Sequence, residues 1–87
     1  MFAYILKADK LPDEQTDAFF ERFKQTPGLL HAYNLQGMDN PTDAMVVAVW
    51  QNREAAQAYL DKSPLRKEVD QTISGVSRTM YKVRNSK

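Results

Sequence analysis

The stretch AMVVAVWQNREAAQAYLDKSPLRKEV, Ala44 to Val69, decides the fold. From Ala44 to Val49 no side chain is polar, whereas a strand with one wet face alternates apolar with polar. The run therefore predicts a strand covered on both faces. Asn52 is a suitable N-cap for a following helix, with Glu54 in its first turn and Ala55, Ala56, Tyr59 and Leu60 on its buried side. Ser63-Pro64 breaks that helix and restarts it, Ser63 capping and Pro64 taking the first position. Leu65, Val69 and Ile73 continue as an i, i+4, i+8 stripe until Gly75. Helices of the same chain can cover one face of the apolar strand. A chain this short has no further layer for the other, so a partner subunit or a bound ligand is expected there.

Working outward, Phe2 to Ala8 reads as a strand with Phe2, Tyr4, Leu6 and Ala8 on one face and Ala3, Ile5 and Lys7 on the other. Pro12 then opens a helix whose first turns carry Asp13, Glu14 and Asp17, and whose apolar stripe is Phe19, Phe20 and Phe23, with Thr16 at its edge. Pro27-Gly28 ends it near Gln25. Leu29 to Gln36 is the second strand, with Leu29, His31, Tyr33 and Leu35 alternating onto one face. GMDNPTD, Gly37 to Asp43, forms a hairpin loop into the apolar strand. Val76 to Val83 is the last strand, and Arg84 to Lys87 a polar tail. The order β-α-β-β-α-β is the ferredoxin-like split βαβ arrangement, an α+β class with an antiparallel four-stranded sheet. With both helices on one face, the other is too apolar to stand open in a soluble monomer.

Composition narrows the function. The 87 residues make a single domain, 1–87, and twelve basic against eleven acidic side chains leave a formal charge of +1. That balance provides no field for a polyanion, so no nucleic acid is expected as partner. There is no cysteine, which removes disulfides, thiolate metal sites and a cysteine nucleophile. MFAYILKADK is charged too early for a signal peptide, and no apolar run approaches the ~20 residues of a membrane span. A cytoplasmic protein without a membrane partner is expected.

VAVWQNREAAQAYLDKSPLRKEV, Val47 to Val69, resembles the strand and broken second helix of the antibiotic biosynthesis monooxygenase superfamily, and PGLLHAYNL, Pro27 to Leu35, resembles its proline-glycine lead into the second strand. The resemblance implies a dimeric α+β barrel, a homodimer through facing sheets, with a pocket in each subunit between sheet and helices. It implies a cofactor-independent monooxygenase acting on a small aromatic or quinol-type metabolite; the alternative is a non-catalytic dimeric small-ligand-binding member of the same fold. Haem-degrading relatives carry a helix tryptophan and, further along, a haem-ligating histidine. Matched from Trp50, those positions fall on Tyr59 and Val69, and Phe2 to Ala8 lacks those enzymes' asparagine, so no cofactor is expected.

His31, the sole histidine, is the one side chain with an ordinary pKa near neutrality, and it is a candidate base for a phenolic proton. A histidine half exposed at a sheet edge would be equally ordinary. Trp50 closes the apolar strand and Tyr59 lies nine residues on, where a helix turn faces back over it. Both could stack on a flat ligand, or both could be core. Tyr33 shares the side of His31 by period-2 alternation. The expected site is thus His31 and Trp50 as catalytic residues with Tyr33 and Tyr59 binding substrate; no metal site is expected. The phenylalanines of the first helix read as core, and Arg66, Lys67, Lys82 and Arg84 as solvated. A base-stacking RNA surface on Tyr4 and Trp50 is opposed by the near-neutral charge.

Overall fold

The computed structural model describes residues 1–8, 13–41 and 43–87. The elements are β1 (Phe2–Lys7), α1 (Asp13–Phe23), β2 (Leu29–Gln36), β3 (Ala44–Trp50), α2 (Arg53–Lys62), α3 (Pro64–Thr72) and β4 (Ser77–Lys82). Pro12, expected to open the first helix, lies outside the described residues. The strands form one antiparallel sheet in the order β2-β3-β1-β4. Each βαβ unit straddles one strand of the other, so β1 and β3 are central, as the ferredoxin-like reading requires.

Register explains the layering. Phe2, Tyr4 and Leu6 pair with Trp50, Ala48 and Val46, and these residues face the helices. Phe23 of α1, Ala56 and Tyr59 of α2, and Leu65 and Val69 of α3 close over them with Ile73. At the centre the rings of Tyr4, Phe23, Trp50 and Tyr59 all touch one another, with centroids 5.1 to 6.3 Å apart. Trp50 and Ala48 have no exposed surface.

The alternate residues Ala3, Ile5, Met45, Val47 and Val49 point to the opposite face, over which no described element of the chain packs. They are only half-buried and are flanked by exposed Tyr33, Leu35 and Tyr81. The expectation that the apolar strand is covered twice is therefore met on one face within the chain.

The broken helix follows its sequence signals, with one exception. The Asn52 side chain accepts from the Ala55 N–H at 2.8 Å, satisfying a donor that the first turn leaves free. Ser63 is extended, as the residue before a proline prefers, and its N–H closes α2 on Tyr59 C=O at 3.2 Å. The expected Ser63 side-chain cap on α3 is absent; Pro64 alone starts that helix.

Two glycines set the ends of β2. Gly28 has φ +82°, and a Cβ there would stand 2.4 Å from Cβ of Ala55 on α2. Gly37 donates its N–H to Asp43 C=O at 2.6 Å, closing the hairpin so tightly that a Cβ would meet Asn40 O at 2.5 Å. Between them β2 is not regular. Leu29 pairs with Trp50 and His31 with Val49, so Leu30 is an extra residue bulged out of the ladder. The simple alternation that placed Leu29 with His31, Tyr33 and Leu35 is thus corrected: Leu29 packs on the core, and the other three follow Val49, Val47 and Met45 onto the uncovered face.

Candidate functional site

Two hollows adjoin under the helices. A cleft of about 600 Å³ opens between the end of α1, Pro27-Gly28, α2 and the start of α3. Inside it lies a cavity of about 40 Å³, walled by Tyr4, Thr16, Phe20, Phe23, Tyr59 and Val69 among others. Tyr59 and Leu65 line both and form the partition between them. The cleft has the volume that drug-sized ligands take, whereas the cavity holds no more than a few waters. Arg22 of α1 and Glu68 of α3 bridge the two helices at 2.5 Å, an exposed pair of the kind that contributes little.

The cavity wall is aromatic with a few polar atoms. Thr16 Oγ1 in that wall is buried without a hydrogen-bond partner, as is Trp50 Nε1 in the ring cluster behind it. Burial raises the Tyr4 phenol far above its ordinary range, reinforced by Tyr59 and opposed by the charge of Arg78. Tyr59 is raised for the same first reason, again opposed by Arg78. Both are therefore neutral donors at physiological pH and cannot serve as bases there.

Arg78 on β4 pairs with Leu6 and so faces the helices. Its Nη1 donates to Asp70 Oδ1 at 2.8 Å, and Arg66 Nη1 donates to the other oxygen, Oδ2, at 3.0 Å. Desolvation pushes the Asp70 pKa upward, but the hydrogen bonds from Arg78 and Arg66 outweigh it and hold the carboxyl below its ordinary value. Arg66, expected on a solvated face, is instead half-buried in this cluster.

The four expected site residues do not share a pocket. Trp50 and Tyr59 lie together on the helix side, ring centroids 5.6 Å apart and 0 % and 4 % exposed. His31 and Tyr33 lie on the other side of the sheet, beside Val49 and Val47, and both are exposed. A base acting on a ligand that Trp50 and Tyr59 hold would need a face His31 does not occupy. A hollow beside Lys24, Leu29 and Ala32 includes His31. Sequence reading missed Tyr4 as a polar residue of the cavity wall, and Arg78 as a largely buried one on the same face of the sheet. The signal was there: counting by twos from Val76 puts Arg78 on the inner face of β4, and counting from Leu6 puts Tyr4 on that of β1.

The residues present do not fit a haem. The cavity is far too small, the sole histidine lies across the sheet from it, and buried Val69 occupies the inward side of α3. Among the described residues no three His, Cys, Asp or Glu side chains gather into a metal-binding group. No described helix is long and apolar enough to cross a membrane.

No protein-family model and no curated protein sequence matches the chain. Solved structures do. A variant of SnoaB, a cofactor-independent oxygenase from Streptomyces nogalater, superposes with a TM-score of 0.77 at 15% identity, over 98% of this chain and 94% of that one. A structure described as an antibiotic biosynthesis monooxygenase superposes at 0.73 with 13% identity, covering 98% and 100%. The haem-degrader MhuD from Mycobacterium tuberculosis, with two haems bound, superposes at 0.65 with 20% identity, covering 99% and 98%. The chain has the fold of the antibiotic biosynthesis monooxygenases.

Proposed function

We propose that this protein is a cofactor-independent monooxygenase of the antibiotic biosynthesis type, acting on a small aromatic or quinol-type metabolite as a homodimer. The observation that carries the reading is the box of four touching rings, with the Tyr4 and Tyr59 side chains in the wall of a hollow that adjoins a cleft wide enough for fused rings. Flat ligands gain from stacking on such rings, and water-poor surroundings favour a reactive carbanion over its quenching. The ligand is assigned to the cleft, where Tyr59 and Leu65 form the wall shared with the cavity. For an anthrone-like methylene, one atom of O₂ becomes the carbonyl oxygen and the other leaves as water, so no outside reductant is needed. Trp50 and Tyr59 are assigned to holding the ring system. The open sheet face with Val47 at its centre and His31 and Tyr33 along it is assigned to the partner subunit, since so continuous an apolar surface calls for cover.

The second reading, a non-catalytic dimeric binder, is favoured by a specific observation: no carboxylate or imidazole lines the cavity among the described residues. Oxygen uptake with a panel of anthrones and hydroquinones separates the two. The enzyme reading expects consumption that falls severalfold in Tyr59→Leu, which removes the stacking ring, with unchanged circular dichroism. A flat trace across the panel with a folded protein refutes it in favour of the binder.

A further inference from the structure

The walls of the cleft are charged in one sense. Arg22, in the last turn of α1, and Lys62, in the last turn of α2, both line it, and among the described residues no aspartate or glutamate does. The two cations differ in what they already hold. Both Nη atoms of Arg22 donate to the two carboxylate oxygens of Glu68, which does not itself line the cleft. Lys62 has no hydrogen-bond or ion-pair partner among the described residues. Ala55, Ala58, Tyr59 and Leu65 add apolar wall on which a flat ring system can lie. The ligand that suits both features is a fused aromatic bearing one anionic group: a carboxylate meets lysine as a point charge and arginine as a matching fork. Relative magnitudes decide which cation discriminates. Passing Arg22 from Glu68 to a ligand carboxylate exchanges one exposed ion pair for another and changes little, whereas Lys62 gains a pair where it had none. Preference for the anion then comes from Lys62, and Glu68 competes with the ligand for Arg22.

We propose that the cleft takes an aromatic carboxylate, its rings against Tyr59 and Leu65 and its carboxylate on Lys62 and Arg22, with Glu68 a tethered competitor that occupies Arg22 in the empty site. This rests on the cleft being the ligand site. It names the class of ligand within that reading: an aromatic acid is selected over its neutral counterpart. The two carboxyl-facing positions act with opposite signs, since loss of Lys62 removes an attraction and loss of the Glu68 charge removes a rival.

The test titrates the full chain with 2-naphthoate, ionised at neutral pH, and with 2-naphthamide, its neutral isostere, following the methyl resonances of Ala55, Ala58 and Leu65 against those of Ile5 and Val47 on the open sheet face. Both probes are expected to move the cleft methyls. At low salt the naphthoate should bind about two- to fivefold tighter than the amide, the scale of an exposed ion pair, and the advantage should vanish by about 0.5 M salt. Lys62→Gln should weaken the naphthoate about two- to fivefold and Glu68→Gln should strengthen it by a similar factor, both leaving the amide within about 1.5-fold. Lys62→Arg, which keeps the charge, should retain the preference. Should a variant fail to fold, the salt dependence of the two probes on the unsubstituted protein still decides the matter. Equal binding of the two probes at low salt, or variants that shift both probes alike, overturns the carboxylate preference and leaves the cleft as the ligand site. Neither probe moving the cleft methyls overturns the cleft as ligand site, and the carboxylate preference with it.

Discussion

Replacing Gly28 with alanine tests the joint between the β2 lead-in and α2, on which the shape of the cleft depends. At φ +82° an L-residue carries a cost of about 1–2 kcal/mol. The new Cβ would also stand 2.4 Å from Cβ of Ala55, where ordinary contacts begin near 3.4 Å, so strand and helix must separate by about an ångström. Overpacking of that kind costs about 1–3 kcal/mol. Gly28→Ala should therefore destabilise by about 2–5 kcal/mol in urea titrations followed by circular dichroism. Ala55→Gly alone should cost about 1 kcal/mol for the glycine in a helix. In the double variant the overlap is gone but the backbone strain is not, so the combined loss should fall short of the sum by about 1–3 kcal/mol. Additivity within about 0.5 kcal/mol would show that the two residues do not collide and would refute the packing described.

Val47→Lys puts a charge at the centre of the uncovered sheet face; sedimentation should change from dimer to monomer while the circular dichroism is kept, and a monomeric parent at micromolar concentration would sink the homodimer. Tyr4 and Tyr59 have folded pKa values above the unfolded value of about 10, so their contribution is complete below pH 10 and is lost as pH rises through the folded values. Urea midpoints should fall steeply above pH 10, and less steeply in Tyr4→Phe; equal slopes would refute the buried-phenol account. Asn52→Ala removes the α2 cap and should cost about 1 kcal/mol in the same titrations, and a loss below about 0.3 kcal/mol would mean that the 2.8 Å hydrogen bond is not formed in solution.

The architecture was legible because its signals are local. Ala44–Trp50 and Leu29–Gln36 end where the apolar run and the turn formers say they should, and the Ser63-Pro64 break divides α2 from α3. The buried stripe of Leu65, Val69 and Ile73 needs only helical spacing. The site was less legible because it depends on which face a residue takes. Alternation fixes faces only along an uninterrupted ladder, and the bulge at Leu30 shifts the phase at the point where His31 had to be assigned. Trp50 and Tyr59 do lie side by side, being joined by a short turn and a helix, though only Tyr59 lines the hollows. Arg78 was overlooked because basic residues in a terminal strand ordinarily face water, and its burial is settled by Asp70, which is eight positions earlier on another element.

The extra residue in β2 divides the strand between two masters. Up to Leu29 the backbone is held by Gly28 against Ala55 and by the Gly28 C=O, which accepts from Gln51 N–H at 2.8 Å; from His31 onward it is keyed to β3 and the Gly37 hairpin. Leu30 takes up the slack between them like the link of an expansion joint. The mouth of the cleft and the outer sheet surface can then drift in sequence separately: a change that resizes the one need not shift the ladder of the other. A chain of this fold could thus be fitted to a new ligand without renegotiating its contact with a second copy.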